Sequence, residues 1–212
     1  IITPTYNRHH YLSRTKSCVD EQVFKDYEWI ILDDSSIPLK TPPKGSFYVH
    51  IPKWVNVGTK RNIITRLCIG QIVVNFDDDD IQHPERIKHT VQHFNSNKSI
   101  NLAGASITYM LFKPRGIIKE TTDTDYTVEF NDNTIRKFKG KPPSDKIDSY
   151  YKIYKNSGVR GQGMGKYHSV GSSMAYRLEY GLCNLFGTAG VYAEESNFTK
   201  KFTEPLIQLN PN

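Results

Sequence analysis

Gln71-Ile-Val-Val-Asn-Phe-Asp77-Asp78-Asp79-Asp80-Ile-Gln-His-Pro84 decides how the rest of the chain is read. Ile72, Val73 and Val74 form a β-branched apolar run of strand length, the composition of a parallel strand covered on both faces. Four aspartates follow without a spacer. Pro84-Glu85-Arg86 then opens a helical pattern, with apolar Ile87, Val91 and Phe94 at i, i+4 and i+7. The carboxylates therefore fall where the carboxyl end of a strand meets a helix, the usual ligand crevice of open α/β sheets. Adjacent carboxylates in a partly buried crevice repel one another, and a hard divalent cation with oxygen ligands relieves that repulsion. An acidic run standing alone is more often a solvated turn, and it is the flanking strand and helix that favour a ligand site.

The same alternation runs upstream. Ile1 to Arg8 reads as a strand entering a turn, and Tyr11, Leu12, Thr15 and Val19 recur at helical spacing. Tyr27 to Leu32 is a second strand that ends in Asp33-Asp34-Ser35-Ser36. Pro38, Pro42 and Pro43 mark a loop, Phe47 to Ile51 a third strand, and Asn56-Val-Gly58-Thr-Lys60-Arg61-Asn62 leads into a helix carrying Ile63, Ile64 and Leu67. Strands alternating with helices predict an α/β fold whose mostly parallel central sheet is flanked by helices.

Beyond residue 100 the pattern changes to a smaller mixed β region. Leu102 to Phe112 reads as extended and 115–139 as hairpins. Lys146 to Lys155, rich in tyrosine, reads as helix, Val170 to Tyr176 as a strand, and Glu194-Glu195 as the opening of a last helix ending near Phe202. One domain over 1–212 is expected, with halves 1–100 and 101–212.

The 212 residues carry a net charge of +6, but no basic run is longer than two residues. That pattern fits attraction to a small anionic substrate better than a nucleic-acid stripe. Thirteen tyrosines and ten phenylalanines supply rings on which sugars or bases stack. Cys18, Cys68 and Cys183 lack any paired spacing, which argues against disulfides and zinc clusters and for a soluble protein of a reducing, cytoplasmic compartment. No apolar run approaches membrane-span length.

Asp33-Asp34 and Asp77–Asp80 both stand at strand carboxyl ends, so a parallel sheet places both clusters on one edge. A single strand-terminal aspartate is usually a turn former; two clusters on one edge point to function. A carboxylate at Asp34 can accept the imide N–H of a uracil, a task separate from holding a metal.

Four segments then occur in order: Thr3-Pro-Thr-Tyr-Asn-Arg8, Trp29-Ile-Ile-Leu-Asp-Asp-Ser-Ser36, Asn56-x-Gly-x-x-Arg61-Asn62, and Phe76-Asp-Asp-Asp-Asp80-x-x-x-Pro84. The series resembles family 2 of the inverting nucleotide-sugar glycosyltransferases, with the GT-A fold. Ser172-Ser173-Met174 and Ala193-Glu194-Glu195 resemble that family's acceptor-side strand and later acidic motif more loosely. The resemblance implies that 1–100 bind the donor, a UDP-sugar, and 101–212 the acceptor, a glycan or glycoprotein. Thr3, Thr5, Tyr6, Asp34 and Arg61 would hold the nucleotide. Asp77–Asp79 match the DxD region, with Asp79 as direct ligand of Mn²⁺ or Mg²⁺ and Asp77 and Asp78 serving ribose or outer contacts. Glu194-Glu195 stands where the family usually has Glu-Asp, which implies Glu195 as the base and leaves the share of Glu194 open.

Gly161-x-Gly163-x-Gly165 neither follows a clear strand nor opens a helix, so it is no dinucleotide fingerprint. It reads instead as a flap that brings Arg160, Lys166 or His168 to the diphosphate, or equally as a plain disordered connector. His89 and His93 lack a third ligand and read as a solvated face. Two other functions compete. A sugar-phosphate nucleotidyltransferase would carry a glycine-rich basic first loop, unlike Pro4-Thr-Tyr-Asn-Arg8. A non-catalytic carbohydrate- or Ca²⁺-binding module would leave Glu194-Glu195 without a task.

Overall fold

The computed structural model describes residues 1–104, 107–112, 116–121, 125–130, 135–139, 152–157, 171–188, 198 and 207–208. The chain divides into two compact units, Ile1–Ser106 with Arg160–Asn212, and Ile107–Val159.

The first unit begins with β1 (Ile2–Thr5), a 3-10 turn (His9–Tyr11), α1 (Leu12–Asp20), β2 (Ile30–Asp33) and β3 (Phe47–His50). It continues through α2 (Val57–Leu67), β4 (Ile72–Val74), α3 (Arg86–Ser96) and β5 (Leu102–Gly104). The second unit contains β6 (Ile107–Phe112), β7 (Gly116–Thr121), β8 (Asp125–Phe130), β9 (Ile135–Lys139) and β10 (Lys152–Ser157). A 3-10 turn (Gly171–Ser173), β11 (Ala175–Arg177), α4 (Leu178–Cys183) and β12 (Ile207–Gln208) belong to the first unit again.

In the first unit β1, β2 and β3 are parallel neighbours, and β4 joins β1 in parallel at Ile2–Asn75. β11 lies antiparallel between β4 and β5, and β12 runs parallel to β5. The order is therefore β3-β2-β1-β4-β11-β5-β12. One side of this sheet buries Leu12, Val19, Trp29, Ile31, Val74, Phe76, Ile87 and Phe94. The other buries Ile2, Ile30, Leu32, Ile64, Val73, Leu102 and Tyr176. Alternate residues of β1, β2 and β4 thus enter opposite core layers, as helices on both faces of a parallel sheet require.

The β-α alternation read in the first hundred residues is present, with one physical difference. Of the apolar residues expected to seat α2, Ile64 is buried and Leu67 is 38% exposed, while Lys60, Arg61, Asn62 and Thr65 are buried. This helix is amphipathic in the wrong sense for a simple core helix because its buried polar turn faces the strand ends. Asn56 caps it by accepting the Thr59 N–H at 2.7 Å.

In the second unit β7, β8 and β9 form an antiparallel meander, and β10 pairs antiparallel with β6. The helix expected over Lys146–Lys155 is corrected for its described residues, Lys152–Lys155, which lie in β10. Ladder pairing with β6, Ile153 opposite Leu111, outweighs the local helical preference. Among the described residues no helix is long and apolar enough to cross a membrane.

Candidate active site

Parallel register sets Thr5 beside Asp33 and Asp33 beside His50, and the Phe76 N–H donates to the Ile2 carbonyl at 2.9 Å. Thr5–Arg8, Asp33–Ser35 and Asn75–Asp80 therefore share the carboxyl edge of the sheet. The two acid clusters meet there.

Asp78 is the buried member of the acid loop. Thr5 Oγ1 donates to Asp78 Oδ2 at 2.6 Å, Arg8 Nη2 lies 2.6 Å from Oδ1, and Thr15 Oγ1 donates to the Asp78 carbonyl at 2.9 Å. Burial, the largest cause, with Asp79 and Asp77 nearby, pushes its carboxyl up to about 6 against the opposing Thr5 bond and Arg8 charge. Asp79 stands 46% exposed, with Oδ2 on Arg8 Nη1 at 2.6 Å, and Arg14 Nη2 donates to its carbonyl at 2.6 Å. Asp77 takes both its oxygens to Arg61 Nη2 at 3.0 Å. Asp80 is raised by burial against a hydrogen bond with Ser172, with Asp77 and Asp79 adding to the rise.

Behind the loop, Arg86 at the start of α3 donates to Gln82 Oε1 at 2.7 Å and to the Ser173 carbonyl at 2.7 Å. Burial lowers this guanidinium to about 10, while Asp80 and Asp77 oppose the fall. A buried cation thus ties the acid loop to the turn before β11.

At the nucleotide end, Asp34 is sealed. Its Oδ1 accepts from Lys60 Nζ at 2.6 Å and its Oδ2 from the Val55 N–H at 2.8 Å. Lys60 Nζ also donates to the Thr5 carbonyl at 3.1 Å and lies 5.6 Å from the Tyr6 ring centroid. Tyr6 is 38% exposed. The neighbouring Asp33 takes a different set of partners, Tyr48 Oη at 2.6 Å, His9 Nε2 at 2.7 Å and the Ser35 N–H at 2.9 Å. Burial opposes its ionisation, and these bonds outweigh burial to hold it below the usual carboxylate range.

Arg61 also lies 5.6 Å over the Phe186 ring, and the Asn62 carboxamide clasps both the Phe186 carbonyl (3.1 Å) and its N–H (2.8 Å). Phe198 stacks on Phe186 with centroids 3.9 Å apart.

Of the residues expected from the sequence, Thr5, Tyr6, Asp34, Arg61, Asp77, Asp78 and Asp79 come together at this edge. Thr3 lies one layer down, buried, its Oγ1 accepting from Trp29 Nε1 at 3.0 Å. His168, Glu194 and Glu195 lie outside the described residues. Sequence reasoning gave no role to Arg8, Arg14, Lys60 or Arg86, the cations that hold the acids. The signal available was charge balance: six aspartates on one edge require cations nearby.

A divalent metal implied by the acid run has an all-oxygen, hard donor set here. No three His, Cys, Asp or Glu side chains among the described residues form a ready cage. The half-exposed Asp79 fits the open kind of site, in which one or two carboxylates and substrate phosphates share a cation that keeps waters.

The buried Asp78 makes stability depend on pH. Its folded value of about 6 exceeds the ordinary 3.8, so across that interval the unfolded chain releases a proton that the fold retains. Stability therefore falls as pH rises through this window, and the whole cost, at most about 3 kcal/mol, is present above it. Asp78→Asn keeps an acceptor for Thr5. It is expected to be more stable than wild type at pH 7.5 in chelator, and to lose that advantage near pH 4. Denaturant unfolding at both values checks this, and an equal gain at both would assign the effect to packing instead.

A parallel sheet that gathers two acid clusters at its carboxyl edge, continued by an antiparallel β11, is the GT-A architecture of glycosyltransferases. Two solved structures agree in fold. Structures of S. aureus TarS and of its residues 1–349 match 93% of this chain at TM-scores of 0.56 and 0.54, with 16% and 15% identity. A mannosyltransferase from Pyrobaculum calidifontis, PcManGT, solved with GDP-Man and Mn²⁺, matches 49% of the chain at TM-score 0.41 and 16% identity. The chain spans about a third to a half of the length of these proteins, 32%, 52% and 34% respectively. The family model for glycosyl transferase family 2 matches residues 1–161, and the chain belongs to that family.

Proposed function

We propose that this chain moves a sugar from a UDP-sugar to a hydroxyl of a glycan or glycoprotein acceptor, with inversion and with dependence on Mn²⁺ or Mg²⁺. One observation carries the reading. At the crevice Asp77 is committed to Arg61, Asp78 to Thr5 and Arg8, and Asp34 to Lys60 and Val55, whereas the half-exposed Asp79 meets the half-exposed Arg8 through Oδ2, a pair that an outside cation can displace.

Asp79 would hold the metal, which when bound supplies Lewis-acid stabilisation of the leaving diphosphate. The chain's own groups do the rest. Tyr6 offers a ring face to the base, stiffened by the Lys60 cation beside it. Asp34, 0% exposed and held by Lys60 and Val55, accepts the uracil imide where the Val55 N–H gives way to it. Arg61 fixes Asp77 for the ribose. His168, with Arg160 and Lys166, meets the diphosphate from the glycine-rich segment. Glu195 removes the acceptor hydroxyl's proton on the face opposite the leaving group, and a single displacement inverts the anomeric centre. Residues 1–100 serve the donor and 101–212 the acceptor within one catalytic domain.

The test is incubation with UDP-, GDP- and CDP-sugars, with and without Mn²⁺. Slow Mn²⁺-dependent release of UDP is expected, and Asp79→Ala is expected to abolish it while leaving the thermal unfolding of the apoprotein in place. UDP should protect against unfolding at roughly tenfold lower concentration than CDP, the worth of one charge-assisted hydrogen bond. Equal protection by both removes the Asp34 assignment. Binding without turnover indicates a carbohydrate-binding module, and turnover undiminished in Asp79→Ala refutes the metal assignment.

A further inference from the structure

Asn7 is the one described non-glycine residue with a left-handed backbone, φ 52°. Its N–H is anchored on Ser35 Oγ at 2.6 Å, so the turn at the end of β1 is held from the neighbouring strand end. The next residue, Arg8, leaves this turn toward the acid loop. Its guanidinium spans two carboxylates, with Nη2 on Asp78 Oδ1 and Nη1 on Asp79 Oδ2, both at 2.6 Å. The Arg8 side chain remains 43% exposed. Arg14, one turn into α1, holds the Asp79 main chain through its carbonyl, so the loop keeps its place even when the Asp79 side chain changes partner.

We infer that Arg8 is an exchangeable internal cation: it occupies Asp79 in the metal-free protein, yields that carboxylate to the divalent ion, and then serves as a cation for the donor's diphosphate. The inference rests on the metal assignment above. Its physics is specific to the two contacts. The Asp78 oxygen is fully buried and retains the guanidinium as a pivot, whereas Asp79 is about half exposed and its pair with Arg8 is screened and cheap to break. A guanidinium freed at one end presents a fork suited to phosphate oxygens. Metal and Arg8 therefore compete for one carboxylate but cooperate on one diphosphate.

The competition and the cooperation give opposite signs in one variant. In Arg8→Gln, Mn²⁺ alone is expected to bind about five- to tenfold tighter, because a fixed positive charge within a few ångströms of the ion is gone. UDP, in saturating Mn²⁺, is expected to bind about five- to tenfold more weakly. Arg8→Lys, which keeps charge but not the two-carboxylate fork, should fall between wild type and Gln on both scales. Mn²⁺ affinity is read by electron paramagnetic resonance of the free ion, and UDP affinity by calorimetry, on the 212-residue chain. A merely structural Arg8 would weaken both ligands together, which overturns the inference, as does an unchanged Mn²⁺ affinity in a variant that still loses Mn²⁺ on Asp79→Ala. If neither wild type nor Arg8→Gln binds Mn²⁺ at any concentration, with or without UDP, the metal assignment itself fails and this inference with it.

Discussion

Glu195→Gln is expected to leave nucleotide and metal binding in place while transfer falls about 10²–10⁴-fold, the usual worth of a positioned general base. Gln preserves shape and hydrogen bonding but cannot accept the acceptor's proton. Glu194 and Glu195 are adjacent at an expected helix start, so their side chains diverge and one of them serves the crevice. Phe198, three residues on, is buried against Phe186, whose main chain is clasped by Asn62 beside Arg61. Glu194→Gln should lose much less. Initial rates of transfer, with UDP affinity measured in parallel, decide the matter. Loss in the Glu194 variant alone moves the base by one residue. Full activity in both moves it elsewhere, with Asp80, Asp145 and Asp148 the next carboxylates to test.

Lys60→Ala is expected to cost about 3–5 kcal/mol of stability, a large fraction of what holds a domain folded. Lys60 and Asp34 are 7% and 0% exposed in their side chains and lie 2.6 Å apart. Without the ammonium, the Asp34 carboxylate keeps one donor, the Val55 N–H, and the Thr5 carbonyl loses its Lys60 partner. Lys60→Met retains the methylene stem and isolates the charge: it should lose nearly as much as Ala. Adding Asp34→Asn to Lys60→Met should recover most of the loss, because a neutral amide tolerates the site that an unpaired anion does not. Denaturant unfolding reads all four proteins. A loss below about 1 kcal/mol in Lys60→Met would show that the pair is solvated in solution and worth no more than a surface bridge.

The β-branched run before Asp77, the helical spacing after Pro84 and the acids at Asp33–Asp34 were enough to place a parallel sheet and its acid-bearing edge, and four ordered motifs carried the resemblance to the family. These are local signals: strand and helix periods and strand-end polarity are written in neighbouring residues, and parallel topology leaves few ways to assemble them. The roles expected of Asp79 and Arg61 came from the family resemblance and not from these local signals. The partners of the acids were decided elsewhere. Arg8 meets Asp78 and Asp79 across 70 and 71 positions, and Lys60 meets Asp34 across 26. No periodicity encodes pairings at such separations. An arginine in a turn and a lysine in a polar helical turn look solvated in sequence, and become buried or bridging only when the strand ends converge. Likewise Lys152–Lys155 form a strand because β6 is there to pair with them. Composition and period determined which edge would carry charge. Tertiary packing alone decided which cation neutralises which carboxylate, because burial and distance set that choice and neither exists before the chain has folded.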